Sequence, residues 1–351
     1  MNNSTSNKTI FSLLTLFISV IFFTACGQTQ VTTEPLRRTE FMLGTTVSIS
    51  LYDHQSEQIL DKAFNRIAQL EDTLSINKTG TLLDKVNQEA GKSPVQVDAD
   101  TLDVIQKGLT YSALTEGSFD ITVGPIVKLW NIGFPEARVP SKEEIIEKLP
   151  LIDYQKVILD EAAQTVFLES PGMLIDLGGI GKGYAADEVA TLLRAEGVEH
   201  AIIDLGGNLY MLGNKPGNKP WTVGIQDPFN PRGNIIGRIQ VENKSIVTSG
   251  IYERFIEQDG IKYHHILNPK TGYPYTNEIA GVTIISDYSI DGDAISTAVF
   301  SKGVEDGLQF IESLDGVDAI FVTTDYKIFL SSGVLDNFVL TNPNFTISSL
   351  N

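Results

Sequence analysis

The stretch that decides how this chain is read runs from Gly172 to Gly207, GMLIDLGGIGKGYAADEVATLLRAEGVEHAIIDLGG, and contains the pentapeptide IDLGG twice, at 175–179 and 203–207. GMLIDL reads as a buried strand and GGIGKG as a loop. YAADEVATLLRAEG reads as a helix stopped by Gly197, and HAIIDL as the next strand. The 28-residue interval is then one βαβ unit, and the first copy of the repeat lies at a strand end that feeds a helix.

Asp176–Gly183, DLGGIGKG, resembles a phosphate loop in composition but departs from both common patterns. Walker A requires Ser or Thr after its Lys, and here Gly183 follows Lys182; the dinucleotide fingerprint requires a different glycine spacing. What remains is physical: glycines let backbone N–H and C=O groups approach a ligand, and the next helix offers its positive end and Lys182. A ligand-free strand-to-helix turn is the competing account of these eight residues.

Working outward, TTVSISLYD alternates as a strand, and SEQILDKAFNRIAQLEDTLS sets Ile59, Ala63, Phe64, Ile67 and Leu70 at helical spacing. DADTLDVIQKGLTYSALTEG begins with capping Asp residues and stops at Gly117. SFDITVGPIVKLWNIGFPEARVPS reads as a long functional loop. NLYMLGNKPGNKPWTVGIQDP and VDAIFVTTDYKIFLSSGV each read as a hairpin, with helical DGDAISTAVFSKGVEDGLQFIESL between them. Hairpins mixed with crossovers predict a mixed α/β or α+β architecture.

The 351 residues carry 26 Lys+Arg against 44 Asp+Glu, a formal charge of −18. Such a surface repels nucleic acid and anionic lipid, so a polyanionic substrate needs a local cation, and a metal site is the natural source. The apolar run Ile10–Phe23 is too short to span a bilayer comfortably and ends at FTAC, with the single cysteine, Cys26, where a lipoprotein signal peptidase cuts. Phe23 stands where Leu is commoner, and Lys8 is the only basic residue ahead of the run. The expected organisation is a signal peptide over 1–25, a lipidated polar tether over 26–38, one catalytic domain over 39–340 and a tail over 341–351. A chain so anchored at Cys26 works at the extracytoplasmic face of a bacterial cytoplasmic membrane.

In DGDAISTA, Asp293 and Thr297 are four apart and share a helix face, a carboxylate and a hydroxyl of the kind that suits Mg²⁺. A helix cap at Asp291 or Asp293 is the competing account. In YHHILNPKTGYPY, His264 and His265 are adjacent on a strand, so only one faces a site, as a general base or phosphate partner. Four histidines and no Cys pair argue against a zinc centre. Thr248, Ser249 and Gly250 in IVTSGIYERF read as a turn lining a pocket rather than a serine nucleophile, since G-x-S-x-G is absent.

Taken together, MLGTTVSI, EGSFDITVGPIVKLW, IDLGGIGKGYAADEVA, IDLGGNLYMLG, VTSGIYERF, HHILNPKTGYP and DGDAISTAVF stand in the order of the FAD:protein FMN transferases, the ApbE-type lipoproteins, which the chain resembles from about Thr39 to Val339. The resemblance implies a T-fold-like α/β architecture that binds FAD and Mg²⁺ and transfers FMN to a Ser or Thr hydroxyl of an exported or membrane-bound acceptor protein, releasing AMP. By motif, it implies that Asp176 contacts FAD, that the Gly179 carbonyl, Asp293 and Thr297 hold Mg²⁺, and that Lys182 lies near the nucleotide. Asp291 is a nearby reserve. It makes His265 the residue that activates the acceptor hydroxyl, with Asp293 also in the catalytic set. Leu43, Asn77, Ser118, Phe119, Asp120 and Ile266 are expected to line the FAD pocket.

Three positions depart from the family's commoner pattern: Leu43 replaces Met, Asn268 replaces Asp, and Asn77 replaces Tyr. A ring at position 77 would stack on the nucleotide and shield its phosphates, whereas Asn admits water. Some Mg²⁺-dependent FAD hydrolysis to FMN and AMP is therefore an expectation. The rival readings are an exported FAD pyrophosphatase and a non-catalytic flavin-binding lipoprotein. The second IDLGG is expected to turn the next strand, with Asp204 shaping the opposite wall.

Overall fold

The structure, a computed structural model, describes residues 34–350. The expected signal peptide, Cys26 and most of the tether lie outside the described residues. The chain opens with the hairpin β1 (Leu36–Met42) and β2 (Thr45–Leu51), then α1 (Glu57–Leu74), α2 (Leu82–Gln88), β3 (Val95–Gln96) and α3 (Ala99–Leu114). β1 thus lies partly within the segment expected as tether. All five apolar positions read at helical spacing in α1 are buried. Asp98 caps α3 by accepting from Thr101 N, and Gly117 ends that segment at φ +74°.

The long segment read as a loop contains α4 (Gly124–Trp130), and α5 (Lys142–Lys148) follows it. Pro125 sits in the first turn, where a missing N–H costs nothing, so the Gly/Pro composition marked a helix start rather than a loop. Trp130 is fully buried, and its Nε1 donates to the Gly272 carbonyl over 2.7 Å, fastening this segment to the NPKTG turn.

After β4 (Val157–Asp160) and β5 (Thr165–Leu168) comes α6 (Gly181–Ala195). GMLIDL ahead of it is not a ladder strand: apart from one bridge between Leu174 and Val123 it lies outside the sheets. Its polar groups are met otherwise. The Asn87 side-chain amide accepts from Ile175 N (2.7 Å) and donates to Ile175 O (3.0 Å), and Asp176 N donates to Ile121 O (2.8 Å). A side chain in place of a neighbouring strand satisfies a buried extended backbone. The repeat therefore spans an extended segment, a helix and a strand, not a βαβ unit.

The remaining strands are β6 (Ala201–Leu205), β7 (Asn208–Leu212), β8 (Trp221–Gln226), β9 (Ile235–Val241), β10 (Lys244–Gly250), β11 (Phe255–Gln258), β12 (Ile261–His264) and β13 (Ile279–Ser286). Then come α7 (Ser289–Phe300), α8 (Gly303–Glu312), β14 (Asp318–Thr323), β15 (Lys327–Leu330), β16 (Val339–Leu340) and β17 (Thr346–Ile347). A nine-stranded sheet runs β1-β2-β6-β7-β10-β13-β14-β15-β17, antiparallel except for its last pair. β17 carries the sheet past the expected end of the domain at 340, and Phe345 is buried.

The hairpin expected at β14 and β15 is present, but β7 and β8 do not pair. β8 joins β9 and β16 in a separate three-stranded sheet, and between β7 and β8 the chain closes a small turn of its own at the Lys215–Lys219 bridge. The architecture is mixed α+β. α1, α6 and α7 lie against the large sheet over the largest apolar core, to which Val47, Ile49 and Leu51 of β2 contribute with Ile203 and Leu205 of β6.

Candidate active site

The site is organised by the crossing of α6 and α7. Gly183, in the first turn of α6, lies so near the start of α7 that a Cβ there would stand 2.6 Å from Ile290 Cα. The missing side chain lets the amino end of α6 rest on α7. Its first-turn N–H groups have no partner within their own helix, and Asp293, one turn into α7, accepts from Gly183 N over 3.0 Å. Asp293 is 4% exposed. Its two oxygens are 3.1 and 3.4 Å from Lys182 Nζ, which also lies 3.4 Å from the Gly178 carbonyl oxygen. Asp293 does not cap its own helix; it accepts from the first turn of the neighbouring one, α6.

The cap of α7 comes from α6: the Asp187 carboxylate accepts from Ser289 N (2.8 Å) and Ile290 N (2.9 Å). Burial pushes its pKa up to about 6, against the pull of these two hydrogen bonds. Asp291, the expected reserve, is instead taken by the Tyr111 hydroxyl. Burial raises the Asp291 carboxyl above its usual range, and the Tyr111 hydrogen bond opposes that rise.

Gly179, Phe119 and Thr297 meet beside this crossing. A Cβ on Gly179 would stand 3.0 Å from Phe119 Cε2 and 3.7 Å from Thr297 Oγ1. The Gly179 backbone and the Thr297 hydroxyl are therefore neighbours, with Asp293 one turn before Thr297 on α7. Asp176 folds back so that its Oδ1 accepts from Gly178 N over 2.7 Å. Desolvation raises its carboxyl pKa, partly offset by the charges of Lys128 and Lys182. Lys128 Nζ in turn donates to Asn77 Oδ1 over 2.7 Å, so Asn77, Lys128 and Asp176 form one wall.

Other expected pocket residues serve the walls in different ways. Asp120 is committed to its own turn: it accepts from Thr122 N (2.8 Å), Thr122 Oγ1 (2.6 Å) and Tyr154 N (3.2 Å), and burial raises its pKa. The Ser118 carbonyl accepts from the Tyr275 hydroxyl over 3.1 Å, and Ile266 is buried in the apolar cluster against which Tyr275 packs. Leu43 takes φ +53° at the β1–β2 turn, and the next carbonyl, Gly44 O, accepts from Arg254 Nη2 over 3.4 Å.

The two histidines were expected side by side on a strand, but β12 ends at His264 and His265 lies in the bend beyond it. His264 is buried, with Nε2 on Tyr275 O (2.8 Å) and Nδ1 accepting from Ile266 N (3.3 Å), so both nitrogens serve the backbone. His265 places Nδ1 3.3 Å from the Arg254 carbonyl, which accepts and so leaves Nε2 without its proton. Burial, with Arg254 nearby, pulls the His265 pKa down to about 4, and the ring is neutral at physiological pH. Ser249 Oγ is 2.8 Å from Ser296 Oγ, tying β10 to α7 rather than serving as a nucleophile.

The second IDLGG does a different job. Leu205 pairs with Asn208, leaving Gly206 (φ +69°) and Gly207 (φ +97°) as a two-residue hairpin turn with both central φ positive. Asp204 Oδ1 accepts from Gly207 N over 2.8 Å, and Arg232 Nη2 donates to Gly206 O. Gly206 abuts Thr45.

A separate carboxylate–imidazole group, Asp53, Glu199 and His200, lies past the other end of α6. The 15 residues of that helix span roughly 22 Å, so this group is remote from Asp293. Asp53 already accepts from the backbone N–H groups of Glu199 and His200, at 2.9 and 3.0 Å.

The motif reading missed Asn87, Lys128, Gly183, Asp187 and Arg254. Lys128, Gly183, Asp187 and Arg254 all stood inside quoted motifs, but their roles depend on partners distant along the chain; Asn87 lay outside every motif.

Residues 43–321 match the model of the ApbE family. The FAD:protein FMN transferase of Klebsiella pneumoniae is 42% identical over 83% of this chain and 90% of its own length. That of Treponema pallidum is 35% identical over 88% of this chain and 90% of its own. Among solved structures, the ApbE protein of Thermotoga maritima superposes with a TM-score of 0.78 at 33% identity, covering 86% of this chain and 98% of that one. The flavin transferase ApbE of Vibrio cholerae superposes with a TM-score of 0.75 at 28% identity, over 87% and 99%. With this match running through both helices of the crossing, the chain belongs to the ApbE family.

Proposed function

We propose that this protein is a flavin transferase that moves FMN from FAD to a Ser or Thr hydroxyl of an acceptor protein, with release of AMP and dependence on Mg²⁺. The observation that carries the reading is the convergence of the buried Asp293 with Lys182, the Gly178–Gly179 backbone and Thr297. An acidic protein has in this place an anchored cation, a helix amino end and hard oxygen donors, the combination a pyrophosphate requires.

The donors fit a small divalent cation: Asp293, Thr297 and the Gly179 carbonyl would hold it, and the ion pair of Lys182 with Asp293 supports a place for positive charge in this pocket. Such a cation, when bound, neutralises pyrophosphate oxygens and the charge developing on the leaving AMP. The chain's own residues do the rest. Asp176, Lys128 and Phe119 border the nucleotide, and the start of α6 faces its phosphates. His265 Nε2 accepts the acceptor's hydroxyl proton. The acceptor oxygen bonds to the FMN phosphorus, and the bond from that phosphorus to the AMP oxygen breaks.

Asn77 supports water as a second nucleophile, since it is exposed and bonded to Lys128 where a ring would form a shield. Cys26, as a lipoprotein start, would hold the enzyme at the outer face of the cytoplasmic membrane, among exported acceptors.

The test combines mature protein, FAD, Mg²⁺ and a domain bearing an accessible Thr, read by in-gel flavin fluorescence and AMP release. Fluorescent acceptor with AMP is expected. AMP alone would make the protein a pyrophosphatase, and tight FAD binding without either product would make it a flavin-binding protein.

A further inference from the structure

We propose that Lys182 is a built-in counter-cation that holds Asp293 until a divalent cation takes its place, and that the displaced ammonium then binds the pyrophosphate of the substrate. This deepens the reading above and rests on it. Cation and dinucleotide then bind with positive cooperativity, each favouring the arrangement the other needs.

The geometry is that of a substitute ion. Lys182 Nζ is within 3.4 Å of three oxygens, both of Asp293 and the carbonyl of Gly178. Asp293 is almost fully enclosed, and a carboxylate so placed is costly without a compensating charge. Gly183 N supplies one hydrogen bond to it, and Lys182 supplies the charge.

Lys182 is also able to leave. Its side chain is 30% exposed against 5% for Asp293, and its flexible stem lets the ammonium move while the backbone of α6 stays on α7. A divalent ion at Asp293 would place two like charges side by side in a partly buried pocket, and their repulsion drives the mobile one outward. Outward means along the Gly178–Gly181 turn and the amino end of α6, where an anion is favoured. Lys128, the other cation acting on Asp176, is already bonded to Asn77. Linkage makes the effect reciprocal: FAD should tighten the cation as much as the cation tightens FAD.

The test follows Lys182 itself. Wild-type protein freed of flavin and divalent ions is treated briefly with an amine-acylating reagent, and labelling of Lys182 is read by peptide mass spectrometry. Labelling should rise about fivefold or more with Mn²⁺ alone and fall again when FAD is added. In parallel, Mn²⁺ affinity is measured by the EPR signal of the free ion, for wild type and Lys182→Met, with and without FAD. Lys182→Met should bind Mn²⁺ more tightly than wild type in the absence of FAD, and its enhancement by FAD should be at least about fivefold smaller. Unchanged Lys182 labelling with Mn²⁺ bound, or equal Mn²⁺ affinity and equal enhancement in the two proteins, overturns this inference and leaves the metal site standing. Absence of Mn²⁺ binding in both proteins, with FAD present, overturns the site itself. Should Lys182→Met not fold, the labelling of the wild-type protein decides alone.

Discussion

A Cβ on Gly183 would stand 2.5 Å from the carbonyl oxygen of Ser289, so the two helices of the site touch backbone to backbone. Replacing Gly by Ala inside a helix ordinarily stabilises by up to about 1 kcal/mol, but overpacking a close contact costs about 1–3 kcal/mol. The second effect wins here, because the obstructing atoms are backbone. Gly183→Ala is expected to lower unfolding stability in urea and to weaken Mn²⁺ binding together; a stabilised variant with unchanged metal affinity would show that α6 is free to move off α7.

Asp293→Asn keeps an acceptor for Gly183 N and removes the charge. Charge stabilisation of several kcal/mol at a transferring phosphoryl group corresponds to a loss on the order of 100-fold or more. Transfer to the acceptor should fall by at least that factor at saturating Mg²⁺ while circular dichroism stays that of the wild type. Near-normal turnover would remove Asp293 from the site.

Asn77→Tyr should shift the partition from water toward the protein acceptor. AMP released without acceptor should drop several-fold, while flavinylation is retained, as judged by the ratio of AMP to fluorescent product. An unchanged ratio would mean that water reaches the phosphates by another route.

His265, held down at about 4, supplies a neutral ring throughout the physiological range. The kcat/KM profile for transfer should therefore have its acid limb near pH 4 and show no fall centred on the ordinary imidazole value of roughly 6.5. His265→Asn should lower transfer by about 100-fold or more, within the usual range for a general base. A limb near pH 6.5 that survives in the variant would point to a different group.

Asp187 links stability to pH. Its folded-state pKa, about 6, is above the unfolded value, so the neutral form is favoured by folding. Its contribution is greatest below roughly pH 4 and is lost as pH rises through 6, amounting to about 3 kcal/mol at most. Relative to Asp187→Asn, wild type should lose stability between pH 4 and 6 and stay level above that, in urea titrations at each pH. A constant difference across the range would show that the carboxyl titrates normally.

Much of this was readable before the fold was known, for identifiable reasons. α1, α3 and α6 announce themselves because amphipathic spacing and terminal residues such as Asp98, Gly117 and Gly197 are local signals. Asp293 and Thr297 share a face by helix geometry alone. The misreadings share a cause: an apolar run such as GMLIDL records burial, and burial does not say whether a strand or the Asn87 side chain meets the backbone. The Pro turn after β7 likewise records a change of direction without naming the sheet that receives the chain. Lys128 was missed because its significance arises only when α4 brings it beside Asn77 and Asp176, far off along the chain.

The ribbon of β11 and β12 pairs only with itself, outside the nine-stranded sheet, yet Arg254 enters it and His265 leaves it. Phe255 and Ile261 are exposed on it. Its inner residues Ile256 and Tyr263 nonetheless pack on the Trp130 cluster, which fastens the ribbon to the turn that follows His265. A change at Phe255 or Ile261 therefore alters an outward surface alone, whereas one at Ile256 or Tyr263 reaches the wall on which His265 stands.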